Sequence, residues 1–247
     1  MLIWIIFGII IRITAFLAFG YPRVNTPRKA SAEGIENPEM VKAYNRISQW
    51  PQFKFFRKMV SREVKAHNPK GTIVDIGCGP GYLVNAIAKS LPRLHIIGVD
   101  ISEELLKAAR NNSSSLDLNK RIKYLQGDVR ELPFKDNAID FVVSTLSLHH
   151  WSNPDEALQE IYRVLKHKGQ FIIFDLRRDS RRLFYWLLRF ATRFIVPVPL
   201  RNIGEPLGSA LSSYTITEVD TMFRKSPFQQ WKAKSGIGWM LVWGCKD

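Results

Sequence analysis

The sequence predicts an α/β fold, with a seven-stranded, mostly parallel sheet that ends in an antiparallel strand pair and an N-terminal hydrophobic helix in front of it. Three observations carry this expectation. From Thr72 onward short β-rich runs alternate with helical stretches, a pattern that implies parallel strands joined by crossover helices. The first β-rich run leads into a glycine-rich turn, VDIGCGPGY, Val74 to Tyr82. Near the C-terminus, two β-rich runs are separated only by Ser235 to Gly238, a connection short enough to require an antiparallel pair.

The 247 residues suit one α/β domain with some residues left for an appendage. Hydrophobic residues make up 46% and charged residues 23%, a globular balance. Cys78 and Cys245 are the only cysteines, too few for a disulfide framework and not spaced as metal ligands, so no metal is expected. A formal charge of +14 points to phosphate-bearing partners, on nucleic acid or at a membrane surface.

Taken in order, the first element is LIWIIFGIIIRITAFLAF, Leu2 to Phe19, apolar except for Arg12 and Thr14. As a helix its 18 residues rise about 27 Å, so residues 1–20 read as a membrane-anchor helix. Arg23, Arg28 and Lys29 follow it, which by the positive-inside rule puts the catalytic domain on the cytoplasmic face. Residues 21–38, with Pro22, Pro27, Gly34 and Pro38, read as a linker, and 39–247 as the domain.

Within the domain, residues 39–66 carry apolar positions at helical spacing, interrupted around Pro51. Strands are expected at Thr72–Ile76, Leu94–Val99, Ile122–Gln126, Ile139–Thr145 and Gln170–Asp175. The helix from Glu103 takes Ser102 as N-cap, and the helix opened by Asn153 and Pro154 runs to Leu165 before Gly169 ends it. Arg181 to Arg201, RRLFYWLLRFATRFIVPVPLR, reads as an aromatic-rich amphipathic helix whose Arg182, Arg189 and Arg193 share one face. It is a second candidate for contact with a membrane interface, beside residues 2–19. Gln229–Lys234 and Trp239–Gly244 form the terminal pair.

A turn of the G-x-G type asks which nucleotide it serves. The dinucleotide fingerprint wants glycine at its first, third and sixth positions. Gly77 and Gly79 fit, but the sixth position is Tyr82 and Gly81 comes one residue early. Asp75, two residues before the first glycine, would repel a pyrophosphate and instead suits holding an ammonium group or ordering the turn. Asp100, at the end of the second strand, is placed to accept from a ribose diol.

The runs VDIGCGPG, IIGVDIS, LQGDVRELPF, IDFVVSTLSLHHW and EIYRVLKHKGQFIIFD, in that order, resemble the class I S-adenosylmethionine-dependent methyltransferases. The nearest branch is the small-molecule one that includes ubiquinone and menaquinone C-methyltransferases. The resemblance covers Tyr44 to Asp175 together with the terminal strand pair, and implies a Rossmann-like sheet and S-adenosylmethionine as cofactor. It implies further that Gly77, Gly79 and Gly81 let the backbone approach the methionine portion, with Asp75 ordering the turn or its ligand waters. Asp100 would take the ribose hydroxyls and Ile101 would pack on the adenine. Asp128 would accept from the adenine amino group with Val129 beside it. Thr145 and Leu146 would line the methionine end, and Tyr44 would close over it.

A sulfonium methyl is already activated, so the protein's main tasks are alignment and exclusion of water. If the acceptor is a phenol or an enol carbon, a base helps, and His149 or His150 past the fourth strand is the candidate. The residues there, Ser144 to Ser147, lack the N-P-P-Y or D-P-P-Y pattern of amino-directed adenine or glutamine methyltransferases. A small organic acceptor is the resulting expectation, and the apolar segments at 2–19 and 181–201 make a lipophilic one the first choice. An RNA methyltransferase and a non-catalytic cofactor-binding protein are the alternatives. The expected anchor weighs against nucleic acid as partner.

Overall fold

The computed structural model describes residues 2–16, 23, 26–30, 34–116, 118 and 120–247. Helix α1 (Leu2–Ala15) is 14 residues long. At 1.5 Å per residue it rises about 21 Å, short of the roughly 30 Å hydrocarbon core. Among the described residues no helix is long and apolar enough to cross a membrane. That finding overturns the expected transmembrane anchor and the membrane-anchored placement built on it; residues 17–20 of the expected segment lie outside the described residues.

Asn37 then caps α2 (Pro38–Ile47), its side chain accepting from the backbone N–H groups of Glu39 and Met40. Pro51 starts a new helix, α3 (Pro51–Ala66), since proline suits a first turn and not a helix interior. The alternation follows: β1 (Thr72–Ile76), α4 (Tyr82–Ser90), β2 (His95–Asp100), α5 (Glu103–Ser114), β3 (Ile122–Gln126) and β4 (Ile139–Thr145). A 3-10 turn at Leu148–His150 leads to α6 (Pro154–Val164) and β5 (Leu165–Leu176). After them come α7 (Arg182–Phe194), α8 (Val198–Asn202), α9 (Leu207–Ser212), α10 (Ile216–Lys225), β6 (Gln230–Ser235) and β7 (Trp239–Cys245).

The seven strands lie in the order β3-β2-β1-β4-β5-β7-β6. Strands β1 to β5 are parallel, and β7 runs antiparallel to both β5 and β6. The order reverses between β1 and β4, which opens a crevice at their carboxyl ends. Each face of the sheet is covered. Val60 and Val64 of α3 with Val84 and Ile87 of α4 pack on one side, and Leu158 and Ile161 of α6 with Val219 and Phe223 of α10 on the other.

Two boundaries differ from the sequence expectation. The strand β5 begins at Leu165, which pairs with Ile139, and Gly169 lies within it; the register then slips, and Gln170 pairs with Phe141. Lys168 takes a positive φ of 61° at the slip, and its N–H donates to Lys246 O. The stretch 181–201 is not one helix: α7 ends at Phe194 and α8 starts beyond Pro197, whose ring cannot continue a helix. Only Tyr185 of α7 is buried, while Trp186, Leu187, Phe190 and Phe194 are exposed.

Candidate active site

The site grows out of the turn after β1. Gly77, Gly79 and Gly81 all have positive φ, 68°, 51° and 75°. At Gly77 the requirement is also steric, because a Cβ there would stand 2.1 Å from Ser147 Oγ. The N–H groups of Gly77 and Cys78 both donate to Val99 O, at 2.8 and 3.0 Å, so the turn is folded onto the end of β2. Gly79 N–H donates to Asp100 Oδ2 at 2.7 Å, and Ser102 N–H to Asp100 Oδ1 at 3.0 Å. Asp100 thus ties the glycine turn to the N-terminus of α5. Burial pushes its carboxyl above the ordinary range while those N–H donors pull it down. Each carboxylate oxygen keeps lone pairs for a further donor.

Asp75 is buried at the end of β1, and its Oδ1 has no hydrogen-bond partner. Burial, and then the neighbouring Asp100 charge, hold its carboxyl well above the usual carboxylate range. Thr145 Oγ1 is a second buried oxygen without a partner, and both residues line a small side cavity of about 60 Å³ beside the glycines. An unpaired acid and a hydroxyl next to open glycine backbone fit the charged methionine end of S-adenosylmethionine.

The main cleft has a volume of about 520 Å³ and runs from Gly127 and Ile101 past the glycines to Leu200 and Leu211. At one end Ile101, 38% exposed, presents an apolar surface to the cleft. Asp128 and Val129 line the same end. The Asp128 carboxylate is held by the Arg130 guanidinium at 2.5 Å, which keeps it below the ordinary carboxylate range. Leu146 turns the corner past β4 with φ 57°, an uncommon value for a branched residue, fixed by its N–H to Phe174 O at 2.8 Å. Tyr44 of α2 reaches the middle of the cleft; burial first, then Asp100 and Glu205, raises its phenol far above its usual value.

Of the two candidate histidines, one is built into a buried pair. His149 Nδ1 lies 2.7 Å from Asp175 Oδ1, and His149 N–H donates to Asp175 Oδ2 at 2.9 Å. Both side chains are almost fully buried, at 3% and 1% exposure, and Leu176 N–H also donates to Asp175. With Nδ1–H given to the carboxylate, Nε2 carries the lone pair, and Nε2 has no partner among the described residues. His149 lines the cleft. The ring of His150 stacks on that of His149 with centroids 4.1 Å apart.

Two contributors were not assigned from the sequence. Asp175 stood in a quoted motif as the last residue of the fifth strand, but only the β4–β5 pairing brings it under His149. The other is part of the stretch expected to be a linker: Lys29, Ala30, Gly34 and Ile35 line the cleft. Arg28 donates to Ser212 O at 2.6 Å and to His149 O at 3.1 Å, with its guanidinium 4.2 Å from the Tyr214 ring centroid. Farther on, Ser102 Oγ donates to Ile35 O at 2.6 Å. Residues 26–30 and 34–37 therefore touch both the His149 side and the Asp100 side.

Comparison with known proteins bears on this geometry directly. Residues 74–173 match the family described as a methyltransferase domain, covering the span from β1 through β5. Over that span the chain carries a methyltransferase domain of the class I S-adenosylmethionine-dependent kind. Demethylmenaquinone methyltransferase of Staphylococcus aureus is 30% identical over 156 residues, 62% of this chain. That match spans 63% of the relative's own length, a little under two thirds. A Methanococcus maripaludis structure assigned as an S-adenosyl-L-methionine-dependent methyltransferase has a TM-score of 0.67 at 23% identity, over 89% of this chain and 98% of that one. The Haemonchus contortus phosphoethanolamine N-methyltransferase 2, solved with S-adenosylhomocysteine, has a TM-score of 0.62 at 17% identity, over 85% of this chain and 57% of its own. At these identities the structures bear on fold. The cofactor of this methyltransferase family is S-adenosylmethionine. In this chain Asp75, Gly77, Gly79, Gly81, Asp100 and Thr145 are the residues whose geometry suits it.

Proposed function

We propose that the chain transfers a methyl group from S-adenosylmethionine to a small, lipophilic acceptor of the quinol type, and that His149 removes the acceptor's proton. The observation that carries the reading is the buried His149–Asp175 pair, with an unpartnered Nε2, in the same cleft as the glycine turn. When bound, the cofactor supplies a methyl on a sulfonium, already activated for transfer.

The chain's own groups do the rest. Asp175 accepts a hydrogen bond from Nδ1–H and fixes the tautomer, which leaves Nε2 free to take the proton of a hydroxyl or of an enol. The imidazolium so formed is stabilised by the adjacent carboxylate at 2.7 Å. Tyr44 stays neutral at any ordinary pH, because its phenol is raised, and serves as a hydrogen-bonding wall and not as a base. Asp100, Ile101, Asp128 and Val129 take the nucleoside end; Asp75, Thr145 and Leu146 take the methionine end.

The acceptor class follows from the other end of the cleft. Met40, Ile47, Phe53, Leu200, Ile203 and Leu211 form its wall, a surface that rewards burial of an apolar ring or chain. The name of the Staphylococcus aureus relative supports a quinol as the first acceptor to try. The test is to incubate the chain with methyl-labelled S-adenosylmethionine and demethylmenaquinol and then extract with organic solvent. Label in the organic phase is the expected result. Label that enters only water-soluble acceptors would overturn the lipophilic part of the reading, and no label anywhere would overturn the whole.

A further inference from the structure

A second binding surface lies on the outer side of α3, where it meets α4. An open groove of about 430 Å³ is lined by Lys54, Arg57, Lys58, Ser61, Arg62 and Lys65, with Ala86 and Ser90 opposite, and shares no lining residue with the main cleft. Its cations share one helix face and have no acidic partner there. Elsewhere on the surface Lys107, Arg110, Arg163 and Arg224 each pair with a carboxylate one or two turns away or across a loop. None of the five cations of the groove has a carboxylate at ion-pair distance among the described residues. The only acid in α3, Glu63, is engaged by His67 and by Lys234 of β6.

Five like charges on one helix face repel one another, so the arrangement costs stability unless an anion shares it. Beneath it Ser61 Oγ and Ser90 Oγ lie 3.2 Å apart, and Ser90 Oγ donates to Ile87 O at 3.1 Å, so the two hydroxyls tie α3 to α4. From Lys54 to Lys65 the stripe runs about 16 Å along the helix, longer than one phosphate group. Phe55 stands on the edge of the same stripe, two turns before Arg62, with 61% of its surface exposed. Arg57, partly buried, is fixed by its bond to Ser48 O and its place over the Tyr82 ring at 5.0 Å. A row of cations without acidic partners and an exposed aromatic beside them match the chemistry of a phosphodiester strand with a base available to stack.

We propose that this groove binds single-stranded nucleic acid, through its phosphates along Lys54, Arg57, Lys58, Arg62 and Lys65 and through one base stacked on Phe55. The proposal does not depend on methyl transfer.

The test is fluorescence anisotropy of a short labelled oligouridylate against the full chain at several salt concentrations. With five phosphate contacts the logarithm of affinity should fall against that of salt with a slope of about 3.5, or about 100-fold in affinity between 50 and 200 mM salt. Lys58→Ala with Arg62→Ala should lower the slope by about 1.4. Lys123→Ala with Lys225→Ala, an equal loss of charge elsewhere, should leave the slope in place. Phe55→Ala should weaken binding at least about fivefold without altering the slope. Thermal melting of each variant separates a fold defect from a binding one. Absence of binding at low salt, or equal slope losses from the two charge pairs, would overturn the proposal. So would inorganic tripolyphosphate binding as tightly as the strand.

Discussion

Replacing Asp75 by asparagine tests the cofactor end without any knowledge of the acceptor. The carboxylate is buried, one of its oxygens has no partner, and Asp100 repels it. Without a cation the charged form is a cost to the fold, and an isosteric amide removes that cost. Asp75→Asn should therefore stabilise the unliganded chain by about 1 kcal/mol or more at neutral pH. For a chain of this size the melting midpoint should rise by about 2–4 °C per kcal/mol. The same change should weaken binding of S-adenosylhomocysteine about 10- to 150-fold, the worth of one charge-assisted bond to its ammonium. The pH dependence has a definite sign. Asp75 is raised in the folded state, so the folded chain holds its proton more tightly than the unfolded one. Its cost to the fold is absent below the unfolded value of 3.8 and grows as pH rises from there to the raised folded value. The gap in melting midpoint should widen over that window. Wild-type affinity for the cofactor should rise with pH through the raised value, and that of the variant should not. Calorimetry and thermal melting measure both. A variant that is no more stable and binds as tightly as the parent would refute the reasoning.

Other changes act on separate parts of the site. Asp175→Asn offers an amide where His149 needs a carboxylate, so methyl transfer should fall about 10²- to 10⁴-fold, read by labelled-methyl kinetics. Gly77→Ala would set a Cβ 2.1 Å from Ser147 Oγ in a backbone with φ 68°, and should cost about 1–3 kcal/mol in a denaturant melt. Arg28→Ala removes the bonds to Ser212 O and His149 O and should slow transfer more than it weakens S-adenosylhomocysteine binding, a split seen by comparing kcat with cofactor Kd.

The fold was legible because β1 to β5 are short apolar runs separated by helices with local caps, such as Ser102 and Asn153, whose signals lie within a few residues. What needed the third dimension was less legible. His149 and Asp175 are 26 residues apart and meet only because β4 and β5 pair in register, Thr145 opposite Phe174. Arg28 was assigned to a linker because nothing in its neighbours reveals the carbonyls of His149 and Ser212, more than 120 residues away. Hydropathy alone suggested a span at the N-terminus, but the helix that forms is 14 residues long. At 181–201 the apolar pattern hid the break that Pro197 imposes. The glycine turn was the most legible feature: Gly77, Gly79 and Gly81 form the turn after β1, and all three take the positive φ that glycine adopts readily.

The most direct test of the central claim is a single-turnover transfer of labelled methyl by His149→Gln, with cofactor binding measured on the same protein. The account predicts that S-adenosylhomocysteine binds as in the parent, since His149 belongs to the acceptor side, while transfer falls about 100-fold or more. Transfer within twofold of the parent, with binding intact, would contradict it.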